Sequence, residues 1–325
     1  MVVVSPLAGS AFAVPCLTKA PGSPFSTMPA VTAPAQQPTT LTAKPALLSG
    51  DARLTMLQAI DFQFADVQKR RRSLIRAAWA LRRHGVICLR AAASQDTVDA
   101  IQTEINGLLS EIQSGDHGRL ETLAYLNLPE QRVLKGYNHF RDADRPVINY
   151  RVARPDGRSG SDAGMIDIFH PERLSDSLRS GITACLQEDL IRRLLWISSL
   201  NHMVVKCRNL YLNYGVKDTR SYHCDGRSLK FKSFVYLTDV RHLDDGPYCF
   251  VPGSQRRRRL WWRSARYNKH NNLGPFEFSQ LADEQALPLF ANAGDMVISC
   301  QRGAHCGHPQ AATAQRAALV NMYQR

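Results

Sequence analysis

Val67, Leu74, Ala78 and Leu81 recur at near-helical spacing, which predicts a basic amphipathic helix over 66–84 with arginines on its other face. Gly85 stops it, and Val86-Ile87-Cys88-Leu89 then reads as a short apolar strand. Ser94 suits an N-cap. Val98, Ile101, Ile105, Leu108, Leu109 and Ile112 continue at helical spacing, closed by Gly115 and Gly118. Residues 120–162 are polar and turn-rich, a pattern expected of substrate-facing loops. Helical spacing returns over 177–199. From Val204 the period shortens to that of strands: VVKCRNLYLNY, KFKSFVYLTDV, PYCFV, DMVISC and RAALVNMY are separated by turns. The predicted fold is mainly β with flanking α-helices, the β part forming a sandwich or barrel.

Composition divides the chain once. Residues 1–50 are rich in Ala, Pro, Ser and Thr, and Lys19 and Lys44 are their only charged side chains. Such a stretch cannot bury enough apolar surface to fold alone and reads as a disordered leader. Its lack of acid is also compatible with organelle targeting, whereas the missing charged start makes it a poor secretory signal. A single domain is expected over 51–325, with a helical outer part over 51–200 and a β core over 201–325. No stretch approaches the roughly 20 apolar residues of a membrane span. The 8 cysteines are irregularly spaced in a long chain, which argues for free thiols in a reducing, cytoplasmic setting. The net charge of +13 favours anionic partners, either a small anionic substrate or a polyanion such as nucleic acid.

The sharpest chemical feature is Tyr222-His223-Cys224-Asp225-Gly226. In an extended strand, residues two apart project to one side, so His223 and Asp225 point together and Cys224 points away. An imidazole nitrogen and a carboxylate oxygen then fill two adjacent positions on a metal. A third ligand from a distant strand leaves positions open, which suits non-haem Fe(II) with a co-substrate and dioxygen. Alone, the H-x-D pattern is common and weak. Gly303-Ala304-His305-Cys306-Gly307-His308 offers two candidates for the third ligand, His305 and His308. Cys300 and Cys306 lie close by, but the cluster lacks the paired spacings of a structural zinc site.

Arg316 opens the last strand, where Arg316, Ala318, Val320 and Met322 share one face. A lone guanidinium on a small, apolar inward face needs an anion, because an unpaired buried charge is costly. Its two parallel donors match a carboxylate, so a dicarboxylate co-substrate answers the need. On the strand before His223, Asn209, Tyr211 and Asn213 alternate with Leu210, Leu212 and Tyr214. If the asparagines face inward they can hold the co-substrate's other end; the alternative is an outward polar face with the leucines buried.

The run from Asn209 to Tyr323 resembles the phytanoyl-CoA dioxygenase family of Fe(II)/2-oxoglutarate oxygenases. His223-x-Asp225 matches its first two ligands. Phe234-Val-Tyr-Leu-Thr-Asp239, Asp244-Asp245-Gly246-Pro247 and Val251-Pro252-Gly253-Ser254 match its strand, turn and Pro-Gly-Ser signature. Gly294-Asp295, His305 and Arg316 follow in the family's order, and the spacing to Arg316 favours His305 over His308. The helix–strand–helix opening over 66–114 is similar too. Gln255 departs from the family's usual His after Pro-Gly-Ser, at a position that is not a ligand.

The resemblance implies a double-stranded β-helix, the cupin-like jelly roll. It implies Fe(II) on His223, Asp225 and His305, 2-oxoglutarate anchored by Arg316 with Asn213 and Asn209, and O2 as oxidant. The implied reaction oxidises a small, specialised or lipid-derived metabolite, by default through hydroxylation, and releases succinate and CO2. Halogenating relatives have Gly or Ala at the position of Asp225, so the carboxylate argues against halogenation. Arg256, in the run Arg256-Arg257-Arg258-Arg259, is a candidate clamp for an anionic substrate; His308 and Tyr137 are candidates to line the site. The rival readings are a basic nucleic-acid-binding barrel and a metal-binding barrel without catalysis, and neither gives Arg316 a purpose.

Overall fold

The structure, a computed structural model, describes residues 43–115 and 117–325. Its strands are β1 (Ala46–Leu47), β2 (Asp61–Gln63), β3 (Val86–Arg90), β4 (Tyr125–Asn127), β5 (Val147–Tyr150), β6 (Met165–Phe169) and β7 (Val204–Tyr214). They continue with β8 (Lys230–Tyr236), β9 (Tyr248–Phe250), β10 (Gln285–Leu289), β11 (Met296–Cys300), β12 (His305–Gly307) and β13 (Gln315–Gln324). The order β2-β3-β11-β8-β13-β7-β6-β5-β4 makes a large sheet, and β1-β10-β9-β12 makes a small one. Tyr248 of β9 shares a hydrogen bond with Ser299 Oγ of β11 (3.0 Å), and its ring lies 5.1 Å from that of Phe234 on β8. The two sheets therefore face each other, as the predicted double-stranded β-helix requires.

Register decides which side chains enter the space between them. On β13 and β7, Arg316 is opposite Asn213, Ala318 opposite Tyr211, Val320 opposite Asn209 and Met322 opposite Cys207. Directly opposed residues share a face, so Asn209, Tyr211 and Asn213 point inward. Leu210 and Leu212 point the other way, into one core with Ile101, Ile105, Ile182 and Leu195 of the helices. That resolves the choice left open by the alternating sequence. Burying a leucine there contributes about 1.5–3 kcal/mol, and the register moves with it.

The helices are α1 (Gly50–Ile60), α2 (Phe64–Lys69), α3 (Arg71–His84), α4 (Gln95–Ser114), α5 (Gly118–Leu123), α6 (Tyr137–Arg141), α7 (Asp176–Leu186), α8 (Glu188–Ser199) and α9 (Arg258–His270). Several boundaries fall where the sequence places them. Gly85 and Gly115 adopt left-handed C-cap conformations, and Ser94 Oγ accepts from Thr97 N. Others differ. The helix expected over 66–84 breaks at Arg70, which is extended, and that over 177–199 breaks at Gln187, which is left-handed. Gly118 opens α5 and does not close α4. The polar middle region holds most of α5 and all of β4, α6 and β5, and β4 is the edge of the large sheet. Ordered structure also begins before residue 51: Ala46–Leu47 pairs in parallel with β10, and Leu48 is buried in the main core. The remainder of the leader, up to residue 42, lies outside the described residues. No helix among the described residues is long and apolar enough to cross a membrane.

Candidate metal centre

His223 lies in an extended segment after β7 and forms an antiparallel bridge to His305 at the start of β12. Both hydrogen bonds of that bridge are present, His223 N to His305 O (2.9 Å) and His305 N to His223 O (3.0 Å). The bridge sets the two imidazoles side by side, with centroids 4.4 Å apart. Asp225 N donates to Gln301 O (2.9 Å), which keeps the segment extended one step further. Asp225 thus joins His223 on one side, while Cys224 turns away into a second core cluster with Cys249 and Cys306.

Asp225 Oδ1 lies 3.6 Å from His223 Nε2 and 3.8 Å from His305 Nε2. One ligand atom from each of the three residues falls within 4.8 Å of the others. His223 Nδ1 is 2.8 Å from Ser221 O, and His305 Nδ1 is 2.9 Å from Gly303 O. A carbonyl oxygen only accepts, so Nδ1 carries the proton and each Nε2 turns its lone pair toward the carboxylate. Burial lowers both imidazoles, His223 well below the ordinary range and His305 to about 4, so both are neutral near pH 7. Burial pushes the Asp225 carboxyl up, but the charge of Lys232 outweighs it and holds it well below its ordinary range. Two neutral nitrogens and one ionised oxygen make a donor set that fits Fe(II).

The strongest opposing charge comes from Lys232 of β8, whose Nζ lies 2.7 Å from Asp225 Oδ2. Burial alone would lower its pKa; Asp225, followed by Tyr137, raises it overall. The sequence reading missed Lys232. Its inward position follows from the same alternation that exposed Arg316, since it faces Met322 across β13 and Ser299 across β11.

Arg316 is partly buried and donates from Nη1 to the carbonyl of Gly246. Among the described residues no carboxylate lies within ion-pair distance of it. Desolvation lowers its pKa despite partial compensation, first from Tyr236. Its neighbour across the strand, Asn213, has a buried Oδ1 without a partner, and Asn209 has a buried Nδ2 without one. These are unmet donors and acceptors on the inner face, beside a cation that needs an anion. The guanidinium and the free Asn209 Nδ2 donor suit a dicarboxylate carrying a keto oxygen, whose oxygens only accept; Asn213 would meet it through Nδ2 and not through its unpaired Oδ1.

The other sequence candidates separate. Tyr137, at the start of α6, packs edge-on against Phe169, and its hydroxyl donates to Met322 Sδ (3.6 Å). Its pKa is raised first by burial and also by Asp225, which places it in the same electrostatic environment as the centre. His308 is half-buried, with Nδ1 bonded to the neighbouring Pro309 O, and it does not join the cluster. Arg256 is exposed just ahead of α9. The other side of α9 packs through Leu260 on the second core cluster, behind the small sheet. The structure does not bring Arg256 to the triad.

The sequence model of the phytanoyl-CoA dioxygenase (PhyH) family matches residues 81–318. No curated protein matches the chain. Among solved structures, the non-heme alpha ketoglutarate dependent epimerase SnoN from nogalamycin biosynthesis is similar, with 16% identity, 78% of this chain and 83% of that chain covered, and a TM-score of 0.51. AviO1 from Streptomyces viridochromogenes Tue57 has 17% identity, 75% and 91% coverage, and a TM-score of 0.46. Likeness at the level of SnoN shows a shared fold.

Proposed function

The chain belongs to the phytanoyl-CoA dioxygenase family of Fe(II)- and 2-oxoglutarate-dependent oxygenases, and from that premise we propose that His223, Asp225 and His305 hold the iron while Arg316 anchors 2-oxoglutarate. The observation that carries this reading is the pairing of a two-nitrogen, one-oxygen cluster with a desolvated guanidinium that has no carboxylate of its own. Bound together, the metal and 2-oxoglutarate supply an oxidant for an unactivated C–H bond: O2 is consumed, one oxygen atom enters the substrate, and succinate and CO2 leave.

The chain's own residues bind and aim. Arg316 offers its fork of donors to the distal carboxylate. Asn209 offers its unpaired Nδ2 to the other end, and Asn213 reaches it through its amide nitrogen. The carbonyls of Ser221 and Gly303 hold the imidazole tautomers. With a carboxylate at 225 the halide position of halogenating relatives is filled, so the reaction is hydroxylation or a related oxidation such as desaturation. The substrate is a small, anionic metabolite or natural-product intermediate. Support for that class comes from the net charge of +13.

The test is an anaerobic titration of the metal-free protein with Fe(II), then with 2-oxoglutarate, following the visible charge-transfer band. Wild type should develop the band. Arg316→Ala should need at least tenfold more 2-oxoglutarate, and His305→Ala should show no band. A folded, iron-loaded wild type without the band would sink the assignment.

A further inference from the structure

The two oxygens of Asp225 have different surroundings. Oδ1 faces His223 Nε2 and His305 Nε2 at 3.6 and 3.8 Å, whereas Oδ2 meets Lys232 Nζ at 2.7 Å. The Lys232 side chain is only 14% exposed, and Asp225 is the one carboxylate within ion-pair distance of it among the described residues. Two residues along the same face, Lys230 extends its Nζ to the backbone oxygen of Asp225 (3.3 Å). One strand thus grips both the side chain and the main chain of a residue that sits on a loop.

We propose that Lys232 is a positioning residue for the iron: by occupying Oδ2 it leaves Oδ1 as the single ligating oxygen of Asp225, and its positive charge favours the ferrous over the ferric ion. The inference rests on His223, Asp225 and His305 being the ligands. A carboxylate can engage a cation through one oxygen or both. A second oxygen on the iron would take a position that 2-oxoglutarate or O2 requires. The ammonium also draws electron density from the ligand carboxylate, and a nearby positive charge disfavours the higher oxidation state. A purely structural role, neutralising a buried carboxylate before metal binds, predicts neither effect.

The experiment uses the full chain as wild type, Lys232→Met, Lys232→Gln, Lys232→Arg and, as a control on the site itself, His305→Ala. Iron content, the 2-oxoglutarate concentration for half-formation of the charge-transfer band, and the Fe(III)/Fe(II) midpoint potential are measured anaerobically. Lys232→Met should retain iron and need about tenfold more 2-oxoglutarate. Its potential should fall by at least the ~59 mV that corresponds to a tenfold shift for one electron. Lys232→Arg should restore both. Lys232→Gln keeps a donor without the charge, so its potential should fall while its need for 2-oxoglutarate stays near wild type. It carries the test if the Met variant does not fold. Wild-type potential in folded Lys232→Gln, with iron lost from His305→Ala, overturns the role of Lys232 alone. Iron held equally by His305→Ala overturns the ligand assignment itself, and this inference with it.

Discussion

Burial decides how the imidazoles of the centre titrate, and with them how the protein responds to acid. In the unfolded chain His305 titrates near its ordinary 6.5, while in the folded chain desolvation brings it down to about 4. Between those values the unfolded chain binds the extra proton, so stability is full above the window and is lost as pH falls through it. His223 is lowered by the same cause and contributes with the same sign. Asp225, held below its ordinary value, extends the loss to lower pH. Metal-free protein should therefore lose on the order of 3 kcal/mol through His305 alone between pH 6.5 and 4, as read by urea denaturation at fixed ionic strength. A flat profile across that window would mean that His305 is not desolvated. The triad was legible because a period of two joins His223 to Asp225 and because the family resemblance supplied the spacing to Arg316 that favours His305 over His308. Lys232 was not, because its partner lies on a separate loop and no spacing reveals that the two meet.

Between residues and fold stands the tight corner that delivers His305 to β12. Gly303 has no space for a side chain: a Cβ there would lie 2.3 Å from Phe250 Cζ and 3.0 Å from Ser254 Oγ. Its carbonyl also fixes the His305 tautomer, and Ser254 Oγ accepts from Ala304 N (2.8 Å). Gly303→Ala must displace the Phe250 ring or the corner itself. It should cost about 1–3 kcal/mol of stability and weaken Fe(II) binding several-fold, by thermal denaturation and metal titration; wild-type values in both would refute the steric argument. Elements were legible where one pattern dominated, as in α4 and β13. They were lost where a second constraint cut across the pattern. β6 carries an inward Asp167, which Arg151 neutralises at 2.7 Å, and its five residues are too few for an alternation to stand out. β10 contains Pro288, which argues against a strand; it pairs with Cys249 of β9, and on its other edge β1 stops at Ala286. The breaks at Arg70 and Gln187 leave the apolar spacing on either side intact, so periodicity could not show them.

At the scale of the whole molecule, the contacts made before residue 51 decide what can be removed without touching the centre. Composition placed that boundary after residue 50, because the Ala, Pro, Ser and Thr content does not change sharply before Asp51. The fold recruits the end of this stretch through its backbone: Ala43 bridges Gln280, β1 adds to β10, and Leu48 N donates to Ala286 O (2.8 Å). Strand addition asks little of side-chain identity, which is why composition did not mark it. Leu48 is the exception, buried in the main core. Deleting residues 1–41 should then leave stability and the 2-oxoglutarate charge-transfer band at wild-type values. Deleting residues 1–50 should lower stability by about 2 kcal/mol, the burial of one leucine plus a short parallel ladder. The band should survive that deletion, because β10 and β9 stand between β1 and His305, and Ala43 pairs with Gln280, three residues beyond the Glu277 that bridges His223. Equal stability of the two truncated chains would show that β1 contributes nothing. A lost band with stability retained in the shorter chain would mean that the leader's end acts on the centre directly and not through the small sheet.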